Sequence, residues 1–352
     1  MKRDLTIALD AMGGDNAPGI VIRGAELARV RYPDAKFLLF GDQMQLNPLL
    51  KSKPELASVS SVRHTADFVS GDEKPTVALR KGRKSSMQLA VNAIRDGEAQ
   101  CIVSAGNTGA LMAISKVTLR MLPGINRPAI CALCPTEIGD SAMLDLGANI
   151  ECDPDNLLQF GVLGAAYVRT VLGIEKPTVG LLNVGEEEVK GGDVVKKAAI
   201  LLREPNLPFD FKGFVEGDDI GKGTVNVFVV DGFTGNLMLK SIEGTVKLYT
   251  EYLRWAFGST LFSKVAGFLA KGAFKRLKAR IDPRSYNGAT FLGLNGIVVK
   301  SHGSADGFGF ANAVGVGADM VKNGLNKIIT KEIASYTEQR SKMSEAAKTD
   351  VL

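Results

Sequence analysis

The sequence predicts a three-layer α/β protein built on a mainly parallel sheet, with one protruding helical hairpin. Short apolar runs alternate with helical patterns along most of the chain, which is typical of successive βαβ units. Many of the 39 glycines follow these runs, where a strand gives way to a helix. One basic amphipathic segment near residue 260 interrupts the alternation and predicts the hairpin.

The strands and helices follow from apolar periodicity. The predicted strands share a short apolar run bounded by turn residues, and they cover Leu5–Leu9, Phe37–Phe40, Cys101–Ser104, Ala129–Leu133, Ala142–Leu146, Val179–Val184, Phe211–Val215, Val225–Val230 and Ile297–Lys300. The predicted helices repeat apolar residues every three or four positions, and they include Gly19–Arg31, Ser85–Asp96, Asn156–Leu172, Asp193–Arg203 and a helix from Phe308 to about Asn323. The fourth and fifth strands are expected to form an antiparallel pair, and Asp67–Lys84 is expected to be a polar loop.

No linker divides the chain. We therefore predict a single catalytic domain over residues 1–330, with the hairpin inserted at about 245–285 and a polar tail over 331–352. The four cysteines lack the CxxC…CxxC pattern of a zinc site and there are only two histidines, so no metal site is expected. Reduced thiols, the lack of a signal-peptide pattern and the lack of a long apolar run indicate a cytoplasmic protein. The net charge of +5 is modest, and no nucleic-acid partner is expected.

Five predicted strand ends carry glycine and small polar residues: DAMGGDN, SAGNTGA, LDLGAN, VDGFTGN and KSHGSADG. A strand, a glycine turn and a helix in that order present free N–H groups that stabilise an anion. Ligands of open α/β sheets bind beyond the carboxyl ends of strands, so converging turns of this kind would suit phosphate. Plain connections without a ligand are the alternative. No turn matches G-x-G-x-x-G, the P-loop or G-x-S-x-G, which disfavours a Rossmann cofactor, triphosphate hydrolysis and a nucleophilic serine.

Three charged features have open interpretations. Lys190, in EEEVKGGD, could neutralise an anion or could be a flexible surface lysine. The cluster from Arg80 to Lys84 could hold phosphate or could be a solvated loop. His302 could act in the site or be structural. Catalysis would then depend on positioning and electrostatics more than on a covalent enzyme intermediate.

The hairpin segment is basic and apolar together. Tyr252–Ile281 contains seven basic residues and no acidic one. Lysines such as Lys264, Lys271 and Lys275 share a helical face, next to apolar residues that include Phe262 and Leu269. Such a segment could contact an anionic membrane or an acidic protein, or it could bury its apolar stripe in a dimer with the lysines solvated. These roles are compatible.

Six motifs occur in order over residues 5–313: IALDAMGGDNAP, SAGNTGA, LDLGAN, NVGEEEVKGG, VDGFTGN and FLGLNGIVVKSHGSAD. Together they resemble the bacterial phosphate acyltransferases, which supply acyl phosphate for phospholipid synthesis. The resemblance implies a reaction of acyl–acyl carrier protein with inorganic phosphate, without metal or organic cofactor, on a fold similar to phosphotransacetylases and the isocitrate dehydrogenase-like group. It also implies a homodimer with peripheral membrane contact that passes acyl phosphate to a membrane glycerol-phosphate acyltransferase.

The resemblance, with the turns, leads to a set of expected site residues. The substrate-binding group, for phosphate above all, is Asp10, Gly13, Gly14, Asn16, Ser104, Gly106, Asn107, Thr108, Asp231, Thr234 and Gly235. Lys190 is expected to stabilise developing negative charge, Asn236 to orient the thioester, and His302 to act in acid–base or hydrogen-bonding roles. Membrane or carrier contact is expected at Phe262, Lys264, Leu269, Lys271 and Lys275.

Three alternatives remain open on sequence alone. A phosphotransacetylase-like enzyme of the same fold would use acyl-coenzyme A in place of the carrier protein. A dehydrogenase of the isocitrate-like group is disfavoured because no metal-binding aspartate cluster is evident. A non-catalytic scaffold that docks carrier protein at the membrane would belong to a different class.

Overall fold

The computed structural model describes residues 5–349, apart from the side chains of residues 278 and 342–349. Eleven strands in this part of the chain form one sheet. In chain order they are β1 (Thr6–Asp10), β2 (Lys36–Gly41), β3 (Ser60–His64), β4 (Cys101–Ser104), β5 (Ala129–Pro135), β6 (Asp140–Leu144), β7 (Thr178–Leu182), β8 (Asp210–Val215), β9 (Val227–Val229), β10 (Ala289–Leu292) and β11 (Ile297–Lys300).

Fourteen α-helices and a short 3₁₀ turn (Pro283–Tyr286) accompany these strands in the described residues. The helices are α1 (Gly19–Arg31), α2 (Gln43–Lys51), α3 (Pro54–Ala57), α4 (Pro75–Lys81), α5 (Ser86–Arg95), α6 (Thr108–Leu119), α7 (Pro154–Leu172), α8 (Asp193–Leu202), α9 (Asp219–Lys222), α10 (Gly232–Gly258), α11 (Leu261–Leu269), α12 (Lys271–Ile281), α13 (Gly307–Lys322) and α14 (Leu325–Thr349).

The sheet contains two parallel blocks that run in opposite directions. Its order is β3-β2-β1-β4-β11-β10-β5-β6-β9-β7-β8. The strands from β3 to β11 are parallel to one another, and so are those from β6 to β8. Three antiparallel pairings, β11 with β10, β10 with β5, and β5 with β6, separate the blocks and reverse the direction. The predicted mainly parallel sheet and the antiparallel pair of β5 and β6 are confirmed.

Apolar residues pack on both faces of the sheet. Ile7 and Leu9 of β1 belong to one buried cluster, whereas Ala8 between them belongs to a second cluster. Side chains of successive strand residues point to opposite faces, so a strand buried on both faces needs a continuous apolar run. Helices such as α1, α7 and α13 cover the first face, and α5 and α6 cover the second. The arrangement has the three layers expected.

Polar caps fix the starts of many helices. At each of these starts a side-chain oxygen accepts an N–H of the first turn, and the capping residues are Asp42, Ser85, Asn107, Asp153, Asp231, Thr260 and Asp306. The predicted polar loop Asp67–Lys84 contains one helix, α4, which begins at Pro75 and buries Ala78. Proline at the first helical position is favourable because its missing N–H would have no partner there.

Helices α10, α11 and α12 form the predicted hairpin, and α10 begins earlier than expected, at Gly232. Only Gly232 and Gly235 of α10 are buried. The rings of Phe257 and Phe274 meet edge to face, with centroids 4.8 Å apart. Arg280 fastens the end of α12 to the β5–β6 turn, because its guanidinium donates to the carbonyls of Thr136 and Gly139, each at 2.8 Å. No helix within residues 5–349 has the length and apolar composition needed to cross a bilayer.

The last helix continues past the predicted end of the domain. Helix α14 runs through residue 330 without a break, and Ile333 is 3% exposed within the core. Glu332 pairs with Arg169 of α7, and Arg340 pairs with Asp155 at 2.6 Å. The first part of the segment predicted as a tail therefore packs on α7. Residues 350–352 lie outside the described part of the chain.

Candidate active site

The reversal of the sheet divides the glycine-rich turns into two groups. The turns after β1, β4 and β11 leave the sheet at one edge, which we call the Asp10 edge. The turns after β6, β7 and β9 leave it at the opposite edge, which we call the Asp145 edge. The convergence expected at the carboxyl ends of parallel strands therefore holds within each group. The two groups lie at opposite ends of the strands because three antiparallel pairings separate them.

Asp10 is the buried centre of its edge. Its two carboxylate oxygens accept the hydroxyls of Ser86 and Ser104, each at 2.6 Å. Burial raises the pKa of Asp10, while those hydroxyls and the N–H groups of Met12 and Gly13 act to lower it. Asp10 and Ser104 were both predicted to bind substrate. Their side chains bond to each other inside the protein and so hold β1 and β4 together beneath the turns of this edge.

Two glycines let the β1 and β4 turns approach closely. A Cβ on Gly13 would lie 2.5 Å from an Asp10 carboxylate oxygen and 2.7 Å from the N atom of Gly106. Gly14 has a φ of +105°, a conformation that side chains disfavour, and its Cβ would meet Ala105 and the Gly303 carbonyl. The predicted Gly13, Gly14 and Gly106 are thus brought together as a glycine-lined contact between two turns.

The more exposed residues of the Asp10 edge differ in how free they are. Asn107 caps α6 by accepting the Ala110 N–H at 2.9 Å, and its amide donates to the carbonyls of Gly71 and Glu73. Thr108 and Asn16 are exposed at the starts of α6 and α1. The side chain of Asn107 therefore forms hydrogen bonds within the protein, whereas Asn16 and Thr108 are available to a ligand.

His302 lies exposed in the turn after β11. Its Nδ1 accepts the Ser304 N–H at 3.2 Å and lies 2.9 Å from the Ser304 hydroxyl. Its backbone N–H donates to the Asn287 side chain at 2.9 Å, and the Asn287 amide reaches the hydroxyl of Ser301. The two contacts at Nδ1 orient the ring and leave Nε2 to solvent or a ligand, while the Asn287 bonds hold the backbone of the turn. The sequence did not single out Asn287.

Lys300 is a further residue of the Asp10 edge that sequence reasoning did not select. It ends β11, and its ammonium donates to the carbonyls of Ala105, at 3.3 Å, and Ser301. Burial lowers the pKa of Lys300 to about 8, although the carboxylates of Asp10 and Asp15 act to raise it. The available signal was a lysine directly after the apolar run Ile297–Val299, since lysine is rarely buried.

At the opposite edge, Asp145 organises the turn after β6. One carboxylate oxygen accepts the N–H groups of Ile130, Gly147 and Ala148, at 2.9 to 3.1 Å. The other accepts the backbone N–H and side-chain amide of Asn149, at 2.7 and 2.9 Å. Burial raises the pKa of Asp145 against the effect of these bonds. The motif LDLGAN was recognised from the sequence, but this role of its aspartate was not.

The DGFTGN segment, expected as a turn, forms the first turn of α10. Asp231 caps the helix by accepting the N–H and the hydroxyl of Thr234, at 2.9 and 2.8 Å. The negative charge at this helix start is therefore the chain's own carboxylate. A Cβ on Gly235 would overlap the carbonyl oxygen of Asp145. Asp231, Thr234 and Gly235 thus build the junction, while Asn236 is exposed beside Gly147.

Lys190 belongs to the neighbouring turn after β7. Its ammonium donates a hydrogen bond to the Glu187 carboxylate at 2.8 Å, and this bond raises the pKa of Lys190. The Asn183 side chain closes this turn by donating to the carbonyls of Gly185 and Lys190. Because β7 and β9 are adjacent and parallel, the segments that carry Lys190 and Asn236 lie at the same edge of the sheet. His302 lies at the other.

Each edge therefore offers different chemistry. The Asp10 edge combines turn amides, hydroxyls, the start of α6 and the half-buried ammonium of Lys300, which together suit an oxyanion. The Asp145 edge offers an exposed amide and an exposed, paired lysine beside a rigid hydrogen-bonded turn. Within residues 5–349, no group of three or more His, Cys, Asp or Glu side chains is placed to hold a metal ion.

The overall architecture is that of the phosphotransacetylases. A phosphotransacetylase from Streptococcus pyogenes superposes with a TM-score of 0.62 at 16% identity, covering 92% of this chain and 95% of that one. A phosphotransacetylase from Staphylococcus aureus gives 0.59 at 16% identity, covering 90% and 94%. Similarity at this level of identity establishes the fold. The predicted phosphotransacetylase-like fold class is confirmed.

Sequence relatives define the family more narrowly. The family model described as fatty acid synthesis protein matches residues 5–328, and the chain belongs to this family. A phosphate acyltransferase from Rhodospirillum centenum is 57% identical over 95% of this chain and 94% of its own length. Another from Rhodospirillum rubrum is 54% identical over 95% and 96%. The chain is an acyltransferase, which confirms the predicted resemblance and enzyme class and disfavours a non-catalytic scaffold.

Proposed function

We propose that this acyltransferase transfers the acyl group of acyl–acyl carrier protein to inorganic phosphate, giving acyl phosphate and free carrier protein for phospholipid synthesis. The observation that carries the proposal is identity above 50%, over nearly the whole chain, to relatives named phosphate acyltransferase. The oxyanion-suited Asp10 edge supports it. No metal or organic cofactor takes part in the proposed reaction.

In the proposed reaction, a phosphate oxygen attacks the thioester carbonyl carbon. The carbon–sulfur bond of the resulting tetrahedral oxyanion then breaks, and the pantetheine thiolate leaves and takes up a proton. Phosphate is a weak nucleophile, so holding it in line with the carbonyl supplies much of the rate. A thiolate leaves readily, and the reaction therefore needs little acid catalysis.

The proposed roles follow the two edges. The turns at the Asp10 edge bind phosphate, with Asn16 and Thr108 exposed to it and His302 placed to exchange a hydrogen bond or proton. At the Asp145 edge, Asn236 orients the thioester and Lys190 stabilises the developing negative charge. A donor to such an oxyanion is worth about 3–4 kcal/mol. Asp231, Thr234 and Gly235 support Asn236 through the start of α10.

We also propose a homodimer whose reaction centre draws on both chains. Within one chain the two groups of residues lie at opposite edges of the sheet, so a second copy offers a way to unite them. Helix α10 supports the dimer because its apolar residues, including Leu248, Tyr249 and Trp255, are exposed along its length. Mixing an inactive His302→Ala chain with an inactive Asn236→Ala chain tests this. Shared sites would restore up to about a quarter of wild-type activity in exchanged dimers, and no recovery would exclude them.

The hairpin supports a proposed peripheral contact with anionic membrane from the cytoplasmic side. Phe262 is 86% exposed and Leu269 is 79% exposed, and the lysines at 264, 271 and 275 are exposed nearby. Apolar side chains insert at the lipid boundary, and each basic residue near an anionic surface adds about 1 kcal/mol. Acyl phosphate would then pass to a membrane glycerol-phosphate acyltransferase. Contact of the same residues with carrier protein is the competing interpretation.

The reaction is tested by phosphate-dependent release of free thiol. Purified enzyme is given long-chain acyl–carrier protein or the matching acyl-coenzyme A, with and without phosphate. We expect thiol release that requires phosphate and a higher kcat/KM for the carrier-protein substrate. A higher kcat/KM for acyl-coenzyme A would favour the phosphotransacetylase-like alternative. Release that does not depend on phosphate would contradict the proposed reaction.

A further inference from the structure

We propose that Lys300 supplies the half-buried positive charge that binds phosphate at the Asp10 edge. The proposal rests on the proposed function in one respect, namely that inorganic phosphate is a substrate. It assigns phosphate binding to a residue that is less exposed than Lys190 or the cluster from Arg80 to Lys84, the cations that the sequence suggested.

The position of Lys300 is set by the sheet. It pairs in register with Ser104 of β4 and with Ala289 of β10, so it lies inside the sheet, where two turns begin. Its ammonium donates to the carbonyls of Ala105 and Ser301, one from each turn. A lysine in this place connects the β4 and β11 turns from below.

The Ala105 carbonyl marks the meeting point of three turns. A Cβ on Gly14 would lie 3.5 Å from this oxygen, and one on Gly303 would lie 3.7 Å from it. The N–H of Asp15 donates to the Gly303 carbonyl at 3.0 Å, which ties the β1 turn to the β11 turn. The Lys300 ammonium therefore lies directly beneath the place where the turns after β1, β4 and β11 come together.

The charge on Lys300 lacks a close partner. Among residues 5–349, the hydrogen-bond acceptors of its ammonium are two neutral carbonyls, and the carboxylates of Asp10 and Asp15 act on it only through space. The acidic groups that act on it are Asp10 and Asp15, and burial of Asp10 itself disfavours the charged carboxylate. A half-buried ammonium without a close counter-ion is stabilised by an anion bound next to it. By contrast, Lys190 already pairs with Glu187.

The turns above Lys300 provide the complementary groups. Main-chain N–H groups and hydroxyls can donate to phosphate oxygens, while the ammonium contributes charge from beneath. Lys300 thus combines two effects, because it holds the Ala105 carbonyl in place and attracts the phosphate. Methionine at this position would keep much of the side-chain volume and remove both the donor and the charge. Arginine would keep a charge that does not titrate near neutral pH.

The test measures phosphate binding without an acyl donor. Inorganic phosphate is added to wild type, Lys300→Met, Lys300→Arg and the control Lys116→Met, which alters an exposed lysine of α6. The readout is the phosphate-induced rise in thermal midpoint, compared with chloride at equal ionic strength. We expect the control to match wild type and Lys300→Met to lose the rise. In thiol release, Lys300→Met should raise the KM for phosphate by at least about tenfold and leave the KM for acyl–carrier protein within about threefold.

The pH dependence separates charge from structure. The folded pKa of Lys300 is lowered to about 8, so its charge is present below that pH and is lost above it. Between about pH 7 and pH 9, wild type should lose phosphate affinity faster than Lys300→Arg, which also controls for the ionisation of phosphate itself. If Lys300→Met does not fold, this comparison alone decides the proposal. Identical pH profiles for wild type and Lys300→Arg would overturn it.

Two further outcomes distinguish the assignment of Lys300 from the proposed function. A Lys300→Met enzyme that is less stable, yet responds to phosphate like wild type, would show a purely structural lysine and overturn the proposal. Wild-type enzyme that binds phosphate through Lys300 but releases no thiol would contradict the proposed function and leave the assignment of Lys300 standing.

Discussion

The junction between α10 and the Asp145 turn gives a sharp mutational test at Gly235. An alanine Cβ there would overlap the Asp145 carbonyl oxygen and lie 3.0 Å from both the Asp145 carbonyl carbon and Val230 Cγ1. The overlapped atom belongs to the backbone, so no side-chain rotation relieves the contact. The start of α10 or the Asp145 turn would have to move. The matched control is Gly244→Ala in the same helix, because a Cβ on Gly244 meets nothing within 4 Å.

The size of the effect follows from what such a movement disrupts. Overpacking alone costs about 1–3 kcal/mol. Loss of the Asp231 cap adds about 1 kcal/mol, and each lost hydrogen bond to the Asp145 carboxylate adds about 1.5–3 kcal/mol. The gain in helix propensity, about 1 kcal/mol, offsets part of this. We therefore expect Gly235→Ala to lower the free energy of unfolding by about 3 kcal/mol or more, and Gly244→Ala to raise it by up to about 1 kcal/mol.

Urea denaturation followed by circular dichroism measures both variants. Since Asn236 follows Gly235 directly, the kcat/KM for thiol release should also fall in Gly235→Ala and stay near wild type in Gly244→Ala. The reasoning would be refuted if the two variants unfolded at the same urea concentration. A Gly235→Ala enzyme with wild-type stability but reduced activity would place the glycine's role in catalysis alone.

Two further predictions concern the proposed reaction and the hairpin. Lys190→Ala and Asn236→Ala should each lower kcat/KM by at least about 100-fold if they contact the oxyanion or thioester; values within about threefold of wild type, in the thiol-release assay, would contradict these roles. The double variant Phe262→Glu, Leu269→Glu should lose binding to anionic vesicles in flotation, because it replaces lipid-inserting side chains by charge. The control Val117→Glu, an exposed apolar residue on α6, should float like wild type. Unchanged flotation of a folded double variant would rule out this face.

Local patterns predicted much of the fold. Apolar runs located strands such as Cys101–Ser104 and Ile297–Lys300 at their observed bounds, and the antiparallel pairing of two consecutive strands, β5 and β6, was also predicted. The reversal of the sheet was not predictable in the same way. It depends on β10, whose place between β11 and β5 joins segments far apart in sequence.

The site shows the same limit. The glycine turns were located, but the reason for Gly235 lies in the Asp145 carbonyl, which is remote in sequence. The pattern DGFTGN is typical of a turn because glycine disfavours helix, and a tertiary contact overrides that preference. Lys300 was not selected from the sequence, where a lysine at a strand end gives no sign of its surroundings, since lysine is usually exposed. Its partial burial depends on the pairing of β11 with β4 and β10.

Arg280 has a consequence for attempts to shorten the chain. The hairpin of α10, α11 and α12 begins beside Asp145, at the end of β6. It ends where Arg280 donates hydrogen bonds to the turn at the start of β6. Both ends of the hairpin therefore contact the β5–β6 ribbon. If the whole hairpin were deleted, the new connection would have to span the length of β6. If residues were removed equally from both sides of the hairpin tip, the contacts of its two ends with the ribbon would remain. A graded series of tip deletions would therefore distinguish a loss of lipid contact from a loss of folding more cleanly than removal of the whole hairpin.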